Sequence, residues 1–279
     1  MTTPTPSPNE KPPAFPMPWL VVGMATMALL AFILLTPDGL LTKADIVGAA
    51  VCHRWVAHSF VIGGRQLPLC ARCTGTFIGA LVGFFGQGVV LRRRRAANFP
   101  SPFILAIVIG GMLLWAADGL NSFLSAIPGG PHLYEPQHWL RLASGALNGL
   151  AMSVLVYPVF NSTLWRKPAP ERTVRNLGDL GVLLLLEAGL VGLVLTQWGW
   201  LLYPLALLSV LGVVTLLTSV NTMLVVMLVR RENAVDTWRE AAIPLLVGFT
   251  LSLMMIAEIN VVRYLVNGSL AGIWPSEVE

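Results

Sequence analysis

Residues 200–229 read WLLYPLALLSVLGVVTLLTSVNTMLVVMLV, an apolar stretch of 30 residues without a charged side chain. About 20 apolar residues in a helix are enough to span the hydrocarbon core of a bilayer. The stretch is therefore predicted to be a membrane span that tilts or extends into the cytoplasm. Six more apolar runs of similar character predict an all-α, polytopic bundle of about seven spans: roughly 18–36, 74–91, 102–119, 138–159, 178–196 and 241–265.

The composition agrees with this prediction. Of the 279 residues, 55% are hydrophobic and only 11% are charged, whereas soluble domains carry roughly 25% charged residues. The net charge of +4 comes from short basic clusters between the apolar runs, the pattern expected of topology determinants. A nucleic-acid partner is therefore not expected, and the partner predicted is the lipid bilayer.

Three regions are predicted along the chain. Residues 1–17 form a disordered, Pro-rich cytoplasmic tail, residues 18–266 the transmembrane domain, and residues 267–279 a short polar tail. Prolines at this density exclude a helix from the first region. The sequence contains no indication of the oligomeric state.

The basic residues predict the orientation. With the N-terminus in the cytoplasm, 12 of the 18 Lys and Arg residues face the cytoplasm, among them the run from Arg92 to Arg95. This arrangement satisfies the positive-inside rule. All three cysteines and all four histidines then lie on the other side. We therefore predict a multi-pass protein of the cell membrane whose functional site faces the extracytoplasmic side.

The candidate site lies in residues 51–75, VCHRWVAHSFVIGGRQLPLCARCTG. Its first part, within residues 42–60, has one apolar side interrupted by polar residues, which favours a short interfacial or re-entrant helix between spans one and two. Gly63-Gly64 is predicted to break that helix. Cys70 and Cys73 then fall at the start of the second span, where the helix dipole favours thiolates.

Three interpretations of these cysteines are open. Cys52, His53, Cys70 and Cys73 supply four donors, enough for tetrahedral zinc or another divalent transition metal. Cys70 and Cys73 also form the Cys-x-x-Cys spacing of a redox dithiol, and a disulfide would suit an oxidising compartment. Three cysteines cannot all pair, which argues mildly for a metal or for turnover chemistry. The thiols could also be inert.

Several motifs resemble the signature of an uncharacterised prokaryotic membrane family, domain-of-unknown-function family 2085. The first is Cys52-His53-Arg54, followed by Ser59-Phe60, Gly64, the run Leu67-Pro68-Leu69-Cys70-Ala71-Arg72-Cys73-Thr74-Gly75 and Gly79. Asp118-Gly119 resembles its second motif, and Trp139-Leu140-Arg141-Leu142 with Gly145 and Gly149 its third. The resemblance covers roughly residues 50–150 and implies a polytopic membrane protein without an established reaction. His58 stands where the family pattern has a basic Arg, so it is not ranked among the ligands.

Four charged residues are the candidate catalytic group, namely Asp118, Arg141, Arg54 and Arg72. Ionisable residues at membrane depth are functional candidates by default. We expect Asp118 and Arg141 to share one pocket with the cysteines, because glycine stripes at 75, 79 and 83 and at 145 and 149 would bring the second and fourth spans together. The arginines would bind an anionic headgroup, phosphate or carboxylate, and Asp118 would act as a base or hold a ligand histidine.

Three functions are consistent with these features. The first is an extracytoplasmic Cys/His metal centre, in an enzyme that acts on a lipid or another interface-bound substrate. The second is a thiol-disulfide oxidoreductase that uses Cys70 and Cys73, with Cys52 as a shuttle thiol. The third is an ion or small-solute transporter with Glu187 and Glu258 in its path.

Overall fold

The structure, a computed structural model, describes residues 17–270. Its α-helices are α1 (Pro18–Leu35), α2 (Leu40–Val51), α3 (Ala71–Phe85), α4 (Pro102–Ser125), α5 (His138–Leu164), α6 (Leu177–Leu195), α7 (Leu202–Leu228) and α8 (Trp238–Asn267). Seven segments are long and apolar enough to cross a membrane: each of these helices except α2, with α3 counted together with the π-helical turn Gly86–Val90 that continues it. The predicted all-α bundle with seven spans is thus confirmed. The predicted tail at 1–17 lies outside the described residues except for Met17, as do residues 271–279 of the predicted C-terminal tail.

Local sequence signals fix where several spans begin and end. The Ser101 hydroxyl accepts a hydrogen bond from the backbone of Ile104, directly before Pro102 opens α4. The Asn176 side chain caps α6 and the Thr237 side chain caps α8 in the same way. These side chains satisfy N–H groups that the helix itself leaves unpaired. Gly268 ends α8 in the left-handed conformation, at φ 69.

The segment between the first two spans folds as a short helix and a hairpin. Helix α2 has 12 residues, so at 1.5 Å per residue it is too short to cross a bilayer. It ends at Val51, earlier than the sequence suggested. Strands β1 (Val61–Ile62) and β2 (Arg65–Gln66) then pair antiparallel. Gly63 and Gly64, at φ 59 and 78, form the turn of this hairpin; they follow an extended segment and not the helix that they were predicted to break.

Helices α3 and α5 form the centre of the bundle because glycines let their backbones touch. A Cβ atom on Gly149 would lie 2.0 Å from the carbonyl oxygen of Thr76, and one on Gly75 would lie 2.2 Å from that of Leu142. Such distances are available only to glycine. The predicted pairing of the second and fourth spans is confirmed, and it places the first turn of α5 against the start of α3.

The two ends of the bundle differ in chemistry. At the end that carries Arg92–Arg95, called the arginine end, strand β3 (Ala96–Asn98) pairs parallel with β4 (Ala169–Arg172). Arg95 donates to the backbone oxygen of Asp236 at 2.7 Å and lies over the Trp165 ring. The basic loops at this end are thus tied to one another. The opposite end, called the cysteine end, holds α2, the hairpin and the start of α3.

Candidate metal centre

The three cysteines meet at the start of α3. Cys52 follows the last residue of α2 in an extended conformation, and Cys70 is the N-cap of α3. Cys73 lies in the first turn of α3. The Sγ atoms of Cys52, Cys70 and Cys73 all lie within 4.8 Å of one another. No disulfide joins them, and Cys52 and Cys70 are buried.

Backbone N–H groups surround the Cys52 sulfur. The N–H of Cys70 donates to Cys52 Sγ at 3.2 Å, and the N–H of Arg54 donates to the same atom at 3.4 Å. The thiols of Cys70 and Cys73 also hydrogen-bond to it, and they lower the pKa of Cys52. The same contact with Cys52 raises the pKa of Cys70. Cys52 is therefore the thiol that ionises first, in a setting built to hold a thiolate.

His53, the fourth predicted ligand, does not belong to this group of atoms. Its ring packs edge-on against His58, with ring centroids 5.5 Å apart. Nε2 of His53 is buried without a hydrogen-bond partner in the described part of the chain. The structure thus brings three of the four predicted ligands together, and the His53 side chain hydrogen-bonds to one of them, Cys52, while its Nε2 has no partner within residues 17–270.

Arg263 of α8 fixes the position of Cys52. Its guanidinium donates to the carbonyl oxygens of Ala49 and Cys52, each at 2.6 Å, and to that of His53 at 3.1 Å. Carbonyls at the end of a helix lack partners within the helix. The end of α2 and the cysteine that follows it are therefore held by the last span.

Arg54, a predicted catalytic residue, forms an ion pair within the loop. Its Nη2 lies 2.8 Å from Asp45 of α2, and Arg65 of the hairpin lies 3.0 Å from the other oxygen of the same carboxylate. This pairing fastens the hairpin to α2. Sequence reasoning missed Asp45, which no motif distinguishes.

Asp118 and Arg72 form a buried ion pair next to the cysteines. Arg72, between Cys70 and Cys73, donates from Nε to Asp118 Oδ2 at 3.0 Å. Asp118 is 3% exposed. Its other oxygen accepts from the Tyr134 hydroxyl at 2.9 Å, and Ser144 donates to Oδ2 at 3.3 Å. Within residues 17–270 no histidine hydrogen-bonds to this carboxylate, so its contacts differ from the predicted support of a ligand histidine.

Tyr134, which sequence reasoning also missed, fixes the loop between α4 and α5. Burial and the contact with Asp118 raise the pKa of Tyr134 to about 12, so its hydroxyl stays protonated and donates at neutral pH. Asn121 of α4 supports the same loop, because it donates to the Tyr134 carbonyl oxygen at 2.9 Å and accepts from the backbone of Leu133 at 2.7 Å. The loop thus closes over the carboxylate.

Arg141 lies in the first turn of α5 and is 4% exposed. Its Nε donates to the Ser122 hydroxyl at 3.4 Å, and Arg72 donates to the same hydroxyl at 2.8 Å. Two guanidinium groups thus share one small acceptor. Of the predicted catalytic residues, Asp118, Arg72 and Arg141 lie in one cluster with the cysteines, while Arg54 borders it through its backbone N–H.

The two glutamates proposed for an ion path lie in different environments. Glu187 of α6 is 3% exposed, and neither carboxyl oxygen has a hydrogen-bond partner among residues 17–270. Its Oε2 would lie 3.2 Å from a Cβ atom on Gly79 of α3. Glu258 of α8 is exposed on the outside of the bundle. The structure therefore shows one buried acid rather than a pair.

Comparison with known proteins supports the resemblance drawn from the motifs. Residues 52–155 match the family described as "Predicted membrane protein (DUF2085)". An uncharacterized protein of Methanocaldococcus jannaschii is 26% identical over 121 residues, which are 43% of this chain and 70% of that protein. One of Methanothermobacter thermautotrophicus is 26% identical over 105 residues, 38% of this chain and 83% of that protein. No solved structure matches the chain.

Proposed function

We propose that the protein is a membrane enzyme whose Cys52, Cys70 and Cys73 hold a divalent transition metal, zinc in the first instance, on the extracytoplasmic side. The observation that carries the proposal is the convergence of three thiol sulfurs within 4.8 Å of one another. Thiolates in a tetrahedral zinc site lie about 2.3 Å from the metal, so their sulfurs are roughly 4 Å apart. The spacing of the three sulfurs fits that geometry.

The donor set supports an open site. Structural zinc sites have four protein ligands, whereas catalytic sites have three and leave one position for a non-protein ligand. Here three thiols converge, and His53 contacts Cys52 without belonging to the group of three. When bound, such an ion supplies Lewis-acid polarisation of a substrate oxygen. The two backbone N–H groups on Cys52 Sγ support the centre from outside.

The neighbouring charges have distinct roles in this proposal. Asp118 positions Arg72, because both of its oxygens already accept hydrogen bonds; this contact pattern does not favour the role of a base. Arg54 supports the loop through Asp45. Arg141 is the residue that is left to contact substrate. The extracytoplasmic placement is supported by the twelve basic residues that the positive-inside rule assigns to the other side.

The test is the metal content of the purified protein, measured by elemental analysis without added chelator. We expect about one metal ion per chain, and loss of most of it in Cys52→Ser, Cys70→Ser and Cys73→Ser. Cys70→Ser should also lower the melting temperature, because one ligand joins the loop to α3. His132→Ala, which changes an exposed histidine in another loop, is the matched control for His53→Ala.

The His53 variant separates two forms of the site. If His53→Ala keeps its metal, three thiolates hold the ion and the fourth position is open, as proposed. A loss as complete as in the cysteine variants would show a closed, structural site. Wild-type protein without metal, in which reduction raises the number of reactive thiols from one to three, would replace the proposal with the oxidoreductase that uses Cys70 and Cys73.

A further inference from the structure

The cysteine end of the bundle has more positive than negative charge close to the site. Asp45 is shared between Arg54 and Arg65, and Asp118 is held by Arg72. Arg141 has no carboxylate within 4.0 Å among the described residues. A buried guanidinium without a counter-ion is costly, because its charge is removed from water without compensation.

The contacts of Arg141 leave most of its donors unused. The one hydrogen bond of its side chain is the 3.4 Å contact from Nε to Ser122. Both terminal nitrogens lack a hydrogen-bond partner within residues 17–270, although the residue is only 4% exposed. A guanidinium presents its donors as a rigid planar fork that fits two oxygens of one anion. The unused edge of Arg141 has this geometry.

Around Arg141, the start of α5 offers further hydrogen-bond donors, and the nearby histidines do not compete with Arg141 as the cation that binds an anion. His138, one turn earlier on α5, contacts the Phe60 ring with centroids 5.5 Å apart. Burial and then the charge of Arg141 lower the pKa of His58 to about 3, so this imidazole is neutral. The Gln137 N-cap of α5 makes no side-chain cap, so the positive end of that helix is also free for an anion.

We propose that Arg141 is the centre of a binding site for a phosphate oxyanion, next to the cysteine cluster. The site lies in the first turn of one span and beside the last turns of another, the depth at which phospholipid phosphates lie. Exposed Trp139, adjacent to His138, marks the same interfacial layer. The inference rests on the proposed function only in treating the bound phosphate as part of a substrate, since anion binding itself needs no metal.

Equilibrium dialysis of the purified full-length protein with radiolabelled inorganic phosphate tests the site. Wild-type protein should bind phosphate saturably, and acetate at equal ionic strength should not compete. Arg141→Gln should weaken binding by about tenfold or more, the effect of losing one charge-assisted hydrogen bond. Arg65→Gln removes a half-exposed arginine that is paired to Asp45, and it should bind as the wild type does.

Two further arms complete the test. If dihexanoyl phosphatidic acid displaces the labelled phosphate at a concentration well below that of phosphate, the site is assigned to a lipid headgroup. If the lipid and unlabelled phosphate compete equally well, the site is assigned to free phosphate. If Arg141→Gln does not fold, Arg141→Lys keeps the charge but lacks the fork, and should bind several-fold more weakly than wild type. Wild type without saturable binding of either probe, or Arg141 variants that bind equally well, would overturn the inference.

The metal assay is independent of this result. Phosphate binding by protein that contains no metal as purified would support the anion site while the proposed metal function fails. Loss of phosphate binding in Arg141→Gln at unchanged metal content would show that the two sites are separate groups in one centre.

Discussion

Replacing Asp118 by Asn should destabilise the protein far more than its charge alone suggests. The Asp118 side chain is 3% exposed and that of Arg72 is 14% exposed, and the carboxylate also accepts from Tyr134 and Ser144. Asn keeps the shape but leaves the Arg72 charge uncompensated. Removing one partner of a buried ion pair costs about 3–5 kcal/mol, so we expect the free energy of unfolding to fall by that amount.

Asp45→Asn is the matched control. This carboxylate also pairs with arginines, but its side chain is 19% exposed, and those of its partners Arg54 and Arg65 are 13% and 41% exposed. Access to solvent weakens an ion pair and lowers the cost of removing one partner. Asp45→Asn should therefore destabilise the protein by at least about 1 kcal/mol less than Asp118→Asn.

The measurement is equilibrium unfolding by SDS in mixed micelles, followed by circular dichroism. The double variant Arg72→Gln/Asp118→Asn should recover part of the loss, since it removes both charges. If Asp118→Asn costs no more than Asp45→Asn, the ion pair is not the structural centre of this end of the bundle and the reasoning fails.

Three other outcomes follow from the structure. Gly149→Ala should lower the melting temperature by several degrees, because its Cβ would meet backbone at 2.0 Å, whereas Gly192→Ala, with nothing within 4 Å, should be neutral or stabilising; equal effects in a thermal scan would contradict the close packing of α3 and α5. Glu187→Met should leave unfolding stability unchanged or raise it by about 1–3 kcal/mol, since it removes an unpaired buried polar group; a loss above that range would reveal a partner. A variant that keeps only Cys52 should react with a membrane-impermeant thiol reagent in intact cells once metal is stripped and the loop is loosened. Labelling that occurs only after lysis, with a cytoplasmic control behaving as expected, would show that the orientation is the reverse.

The sequence predicts the spans well because each span can be recognised from its own residues, without knowledge of the rest of the fold. Run length and charge depletion place α3–α8 to within a few residues at most ends, although α4 continues to Ser125, beyond the predicted end at 119. The cysteine cluster could also be predicted, since Cys70 and Cys73 lie one helical turn apart and the loop is long enough to return Cys52 to them. Both predictions depend on local spacing and need no knowledge of how distant segments pack.

The polar contacts around the cysteines could not be predicted from the sequence. Asp45 pairs with Arg54 only because α2 ends at Val51 and the chain reverses, and Tyr134 reaches Asp118 from a loop with no regular pattern. Arg263 meets Cys52 across more than 200 residues. Such contacts depend on how the spans are arranged around one another, and hydropathy does not encode that arrangement in a single sequence.

The close fit of α7 against α3 also bears on how this architecture is partitioned. A Cβ atom on Gly212 of α7 would lie 2.1 Å from the Phe77 carbonyl oxygen, so α7 covers one flank of the helix that contains Cys73 and is capped by Cys70. The family match covers residues 52–155, which include α3 and most of α5 but not α7. The cysteine-bearing helix is therefore enclosed on this side by a part of the chain that lies outside the matched region.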